Sequence, residues 1–246
     1  MPELCALENV TVAFGGVKAL DGLSFSVDDD TGITGVIGPN GAGKSTALSV
    51  LSGTRPFSSG RARVLGREIT KRATTTKVAR WGVARTFQIP RPFVDMTVRE
   101  NVTVARLATV KRGVRPAEHA QVVEELLERV GLSGLASAPA ASLALAPRKK
   151  LEVARAVATE PRLILLDEVF EGLSESEIHE LVAILRDLHE HGTKLILVEH
   201  VLRALRLLAT SLVVLEKGTV IAHGEVDEVL RSPQVQEAYL GFGGTA

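Results

Sequence analysis

The 246 residues carry 29 basic and 29 acidic side chains, a formal net charge of zero, and 45% of them are apolar. That apolar content supports a sizeable core and excludes general disorder, and the balanced charge gives no bulk attraction for nucleic acid or an anionic membrane surface. A single cysteine, Cys5, excludes an internal disulfide and fits a reducing compartment, and one Trp, one Tyr and seven Phe are few for a surface that stacks single-stranded nucleic acid. No nucleic-acid partner is expected.

The opening stretch MPELCALENVTVAFGG has no basic region followed by an apolar run, so no leader is expected. No stretch approaches the roughly 18 uninterrupted apolar residues of a membrane-spanning helix, which leaves only a peripheral membrane role. CALENVTVAF alternates and is β-rich. After a glycine turn GGVKALDGLSFSV supplies a second such run, so an antiparallel hairpin or small sheet is predicted. TGITGVIG reads as a short apolar strand, and GAGKSTALSVLSG behind it as a helix closed by Gly53. Residues 60 to 70, GRARVLGREIT, read as another short strand pair, and 71 to 100 are mixed, with Pro90 and Pro92 interrupting any long element.

From about Glu100 to Ser142 the pattern turns helical: AEHAQVVEELLERVGL places Val122, Val123, Leu126, Leu127 and Val130 on one face and ends at Gly131. We read this part as a helical subdomain inserted between two halves of an α/β core. The core pattern then resumes as helix RKKLEVARAVATE, strand RLILLDEVF, helix Ser174 to His191, strand TKLILVEH and helix VLRALRLLA. It ends with hairpin SLVVLEKGTVIAHG, turning at Lys217-Gly218, and a terminal helical piece VDEVLRSPQVQEAYLG. The uninterrupted apolar strands Leu163 to Leu166 and Leu195 to Val198 suit a parallel sheet covered on both faces. Ser174 and Glu177 have capping-box spacing, with Gly192 closing that helix.

GPNGAGKS, Gly38 to Ser45, fits the G-x-x-x-x-G-K-[ST] pattern completely and sits between a predicted strand and a predicted helix, the context this phosphate loop requires. The nucleotide-binding residues are therefore expected to be Gly38, Pro39, Asn40, Gly41, Ala42, Gly43, Lys44, Ser45 and the adjoining Thr46. Glycines let backbone N–H groups turn toward the β-phosphate. Lys44 reaches the β- and γ-phosphates, and the Ser45 hydroxyl binds Mg²⁺. LILLDE places two carboxylates at the end of a buried strand, with Asp167 suited to the magnesium shell and Glu168 to polarising an attacking water. A kinase or a GTPase would share all of this.

With these motifs the chain resembles, over nearly its whole length, the nucleotide-binding subunits of ABC transporters, and most closely the import subunits of the branched-chain amino acid type. ARTFQIPRPFVDMTVRENV is similar to the family's Q-loop region, and VIAHGEVDEVLRSP and VQEAYLG are similar to its endings. The resemblance implies that Gln88 contacts magnesium and water, in the segment that touches the membrane subunit. It implies that His200, in LILVEH, is the switch histidine on the γ-phosphate side, and that Phe14 is the aromatic ring against adenine. The implied fold is α/β: a P-loop (RecA-like) ABC nucleotide-binding domain with N-terminal antiparallel strands and an inserted helical subdomain. Residues 1–87 and 148–246 would form the catalytic core, and 88–147 the helical subdomain with the Q-loop and signature region.

The family's signature, leucine, serine, glycine, glycine, glutamine, caps the γ-phosphate held by the other subunit of a head-to-tail dimer. Here the matching residues are Leu143, Ala144, Leu145, Ala146 and Pro147. Ala144 has no hydroxyl, Leu145 and Ala146 put side chains where backbone must come close, and Pro147 has no N–H. Arg148, Lys149 and Lys150 behind them offer positive charge that could still attract a phosphate. Val169, Ser174 and Val201 replace the family's usual proline, asparagine or aspartate, and aspartate, so the departures gather on the dimer-facing side. The resemblance thus implies a peripheral ATPase at the cytoplasmic face of the plasma membrane, soluble when isolated, using ATP and Mg²⁺. Its partners would be transmembrane permease subunits and a second nucleotide-binding subunit, with a heterodimer favoured over a homodimer. The expected role is energising uptake of a small solute such as branched-chain amino acids. The alternatives are a nucleotide-gated regulatory or structural module with little ATPase activity, or an importer subunit for urea or another amide.

Overall fold

The computed structural model describes residues 3–70, 73–109 and 115–240. They form two compact units, one of Met1–Trp81 with Lys194–Ala246 and one of Gly82–Thr193.

The first unit opens with β1 (Glu3–Phe14) and β2 (Val17–Asp28), paired antiparallel with Phe14 opposite Val17, as the alternating sequence predicts. In β2 Leu23, Phe25 and Val27 are buried at every second position, the period of a strand with one covered face. Cys5 in β1 is fully buried, and desolvation, with a smaller contribution from Glu3, pushes its thiol up to about 12, so it stays protonated and unreactive. The short strand β3 (Thr34–Ile37), buried at all four positions, leads into helix α1 (Lys44–Leu51), whose following Gly53 adopts φ 67°. Next come β4 (Ser59–Val64) and β5 (Arg67–Glu68), which complete a four-stranded sheet in the order β2-β1-β4-β5, and the one-turn helix α2 (Thr75–Ala79).

The second unit begins with β6 (Val83–Arg85), a strand the mixed composition of 71 to 100 conceals; it pairs in parallel with β7 (Leu163–Asp167). Between them lie helices α3 (Val98–Thr109), α4 (Pro116–Arg129) and α5 (Leu145–Val157). Their apolar faces meet in one core containing Val98, Val102, Val123, Leu126, Leu127, Val130 and Leu151, which includes four of the five positions expected to share a face of α4. Val122 is only partly buried. Helix α5 starts at Leu145, three residues before the expected Arg148, because Pro147 fits a first helical turn, where no intrahelical N–H bond is required.

Helix α6 (Glu175–Glu190) carries the anticipated capping box. The Glu177 amide donates to Ser174 Oγ at 3.4 Å, and Glu177 Oε2 accepts from the Ser174 amide and hydroxyl, both at 2.7 Å. Those bonds, the hydroxyl's first, hold the Glu177 carboxyl below its ordinary range. Ser174→Ala is expected to cost about 1 kcal/mol, read as a lower urea midpoint at pH 7. A carboxyl lowered by folding stabilises above its unfolded pKa and loses that contribution as pH falls through its folded value. The difference between wild type and variant therefore shrinks as Glu177 is protonated.

The chain returns to the first unit with β8 (Lys194–Val198), α7 (Leu202–Leu208), β9 (Ser211–Glu216) and β10 (Thr219–Glu225). Strand β3 runs between β8 and β9, parallel to both, and β10 returns antiparallel to β9 through Lys217 and Gly218. Both turn residues have positive φ, 47° and 80°, as a tight hairpin turn demands. The expected single terminal piece is two helices, α8 (Val226–Arg231) and α9 (Pro233–Leu240), since Pro233 cannot continue α8. Gly241, the last residue of that stretch, lies outside the described residues.

Candidate functional site

In the first unit the phosphate loop follows β3 directly. Gly38 and Gly43 are dictated by space as well as by φ. A Cβ on Gly38 would lie 2.1 Å from the Leu215 carbonyl oxygen, and one on Gly43, at φ 100°, 2.5 Å from that of Ala19. The loop turns through an Ala42 N–H to Pro39 carbonyl bond of 3.1 Å, with Ala42 buried and Asn40 and Gly41 exposed. Gly43 caps α1 without a side-chain hydrogen bond. Lys44 is buried, and its Nζ donates to the carbonyls of Gly38 at 2.7 Å and Pro39 at 3.1 Å. Ser45 opens to the surface beside the half-buried Thr46.

The register of β3 with β8 places Val36 opposite Val198, and the Glu199 amide donates to the Val36 carbonyl at 3.3 Å. Gly38 and the exposed His200 therefore leave the same edge of the sheet, two residues beyond paired positions. Phe14 ends β1 with 46% of its surface exposed, so its ring is not packed in the core. The Arg55 guanidinium lies 4.6 Å from its centroid and occupies one face.

The second unit holds the acidic half. Strand β7 ends at Asp167, whose carboxylate is paired with Arg85 on β6 at 2.8 Å and whose amide donates to Thr86 Oγ1 at 3.2 Å. The chain then turns through Glu168, which has φ 50°, an arrangement that costs a non-glycine residue about 1–2 kcal/mol. Gln88, exposed in the segment after β6, donates through Nε2 to Glu168 Oε2 at 2.6 Å and to Glu171 Oε2 at 3.3 Å. The two side chains nominated for water activation thus meet directly.

The altered signature starts α5. Ala144 is the N-cap with no side-chain bond, Leu145 is 43% exposed, and Leu143 and Ala146 are buried. The three cations behind it are turned inward, contrary to the expectation that they offer charge to an external phosphate. Arg148 donates to the Leu143 carbonyl at 2.8 Å, Lys149 to the carbonyls of Glu168 at 2.8 Å and Gln88 at 3.1 Å, and Lys150 pairs with Glu180 at 2.7 Å. Turning Arg148 and Lys149 outward would take these donors from their carbonyls.

The loop cradle, with the buried Lys44 ammonium, suits a nucleotide phosphate, and Ser45 in the first unit and Asp167 in the second each offer a hard oxygen of the kind Mg²⁺ takes. The profile of the ABC transporter family matches residues 20–171, and that of the branched-chain amino acid ATP-binding cassette transporters matches 219–241. The chain is 34% identical to the high-affinity branched-chain amino acid transport ATP-binding protein LivG of Salmonella typhimurium, covering 97% of this chain and 98% of that one. It is an ABC transporter ATP-binding subunit. The cassette is also 33% identical to BraF of Pseudomonas aeruginosa, with 96% of each covered. Among solved structures it is similar to a nucleotide-free ATP-binding cassette of an ABC transporter, at 31% identity and TM-score 0.84, with 96% of this chain and 98% of that chain covered. A second such cassette, in its ADP conformation, gives 32% identity and TM-score 0.83, with 98% and 100% covered. The cassette therefore has the expected P-loop, RecA-like nucleotide-binding fold with N-terminal strands and a helical subdomain.

Sequence reasoning did not find Arg85, Glu171 or Arg55 as neighbours of the site, and it aimed Lys149 at an outside phosphate rather than at the carbonyls of Gln88 and Glu168. Of the three that were missed, only Arg85 carried a signal, a cation three positions before Gln88. Among the described residues no helix is long and apolar enough to cross a membrane.

Proposed function

We propose that this cassette hydrolyses ATP to drive uptake of branched-chain amino acids, docked on the cytoplasmic side of a pair of membrane permease subunits. The observation that carries the enzymatic part is the 2.6 Å hydrogen bond between Gln88 and Glu168 at the end of β7, which brings an amide and a carboxylate into direct contact. The solute comes from the LivG and BraF relatives. Gly38 to Thr46 would hold the phosphates of ATP, Ser45, Asp167 and Gln88 would hold Mg²⁺, and His200 would face the γ-phosphate. Bound nucleotide and metal supply the transferable phosphoryl group and neutralise its charge. Glu168 accepts the proton of the attacking water, while Gln88 orients that water. Residues 88–147 would act as the helical subdomain against a core of 1–87 and 148–246.

The free face of Phe14 would receive adenine. Stacking of a base on an aromatic ring contributes about 1–2 kcal/mol, so Phe14→Ala is expected to weaken ATP binding by about tenfold at unchanged saturated turnover. Fluorescence titration with an ATP analogue measures it.

The altered signature supports pairing with a second nucleotide-binding subunit whose own signature completes the site around Lys44. The same alteration supports the other reading, a nucleotide-gated module that hardly hydrolyses. Reconstituting the cassette with permease, second subunit and binding protein in vesicles separates them. ATP-dependent leucine uptake that Lys44→Ala abolishes supports the importer; nucleotide binding with neither hydrolysis nor uptake overturns it.

A further inference from the structure

Helix α5 presents one polar face inward: Lys149, Glu152 and Arg155, spaced three apart, lie along it, with Lys149 3% and Glu152 7% exposed. All three reach the segment that follows β6. Lys149 Nζ donates to the Gln88 carbonyl, and Arg155 Nη1 donates to the Arg91 carbonyl at 2.8 Å and to Glu152 Oε2 at 2.8 Å. The Arg155 guanidinium also lies 5.1 Å from the Phe93 ring centroid. Lys149 alone adds a second anchor on the other side of the site, the carbonyl of Glu168 at 2.8 Å.

A buried ammonium is tolerated only where hydrogen bonds replace its water, and a Met or Leu would fill the same space without that cost. The acceptors here are the backbone carbonyls of the two residues whose side chains meet at 2.6 Å. One of those two, Glu168, is held at the unfavourable φ of 50°. Strain of this kind persists only where surrounding contacts over-determine it.

We infer that Lys149 is a positioning residue for ATP hydrolysis: it ties the Q-loop backbone to the left-handed turn at Glu168 and so fixes the Gln88–Glu168 pair. This rests on the proposed role of that pair. The helix that begins with the altered signature thereby serves its own chain's acidic half, whatever its tip does for a partner.

The test is Lys149→Met in the full chain, with Lys149→Arg as the conservative variant. In hydrogen exchange of the nucleotide-free protein, peptides spanning 86–93 and 166–172 should exchange about tenfold faster in Lys149→Met, while α1 and α4 keep wild-type protection. In the complex with permease and second subunit, kcat should fall about 10- to 100-fold with the KM for ATP within about twofold, and Lys149→Arg should recover most of it. Wild-type exchange in both segments, or loosening that spreads equally to α4, overturns the inference. If wild type itself hydrolyses no ATP, the proposed function fails, and the exchange experiment alone decides whether Lys149 holds the two segments. Should Lys149→Met not accumulate as folded protein, Lys149→Gln, uncharged and able to donate to one carbonyl only, is read by the same outcomes.

Discussion

Glu168→Gln is expected to lower ATP turnover by at least about a hundredfold and leave ATP affinity within about twofold of wild type. The substitution changes one oxygen for an amide nitrogen at constant shape. Its remaining carbonyl oxygen can still accept the Gln88 Nε2 hydrogen bond that Glu168 Oε2 accepts at 2.6 Å. The left-handed backbone at φ 50° is no harder for Gln than for Glu, and the side chain is only partly buried, so folding should be unaffected. What disappears is the proposed proton acceptor. The proposed nucleotide-binding loop lies in the other compact unit, where Lys44 and the loop's backbone are untouched. Steady-state hydrolysis with the second subunit present, paired with equilibrium binding of nucleotide, gives both numbers. A variant that keeps a third or more of wild-type turnover would show that Glu168 is not the group that handles the proton.

The second large effect runs in the opposite direction. Rebuilding the signature with Ala144→Ser, Leu145→Gly, Ala146→Gly and Pro147→Gln should raise hydrolysis by the cassette assayed alone by about a hundredfold. One pre-positioned hydrogen-bond donor in a transition state is worth about 3 kcal/mol. The structure supplies room for the change. Leu145 is 43% exposed and sits beside Gly172, where its Cδ2 lies 2.8 Å from the position of a Cβ, so removing its side chain sacrifices little burial. Ala144 is an N-cap with no side-chain bond, a position at which Ser contributes about 1 kcal/mol and offsets part of the backbone freedom the new glycines introduce. The inward-facing cations remain as they are, because none of the four changes touches the carbonyls that Arg148 and Lys149 bind or the Glu180 carboxylate that pairs with Lys150. An unchanged rate, with the cassette alone and with its partner, would mean that the altered signature does not limit hydrolysis.

What the sequence by itself determined was whatever depends on near neighbours. The β1–β2 hairpin, the phosphate loop between β3 and α1, the capping box at Ser174 and Glu177, and the Lys217-Gly218 turn each need only a handful of adjacent residues with the right φ preference or side-chain oxygen. All were legible. The order Asp167-Glu168 after a run of apolar residues was legible for the same reason. Only the tertiary structure decided where long cations end. Arg85 reaches an Asp167 82 residues away, and Lys149 reaches carbonyls 61 and 19 residues away rather than a phosphate outside the chain. Strand β6 likewise exists because β7 offers it a parallel partner, its three residues being too few to declare a period of their own. A turn or cap is selected by local sterics. A flexible four-carbon ammonium goes to whichever unsatisfied oxygens the packed elements leave buried beside it, and those oxygens belong to distant parts of the chain.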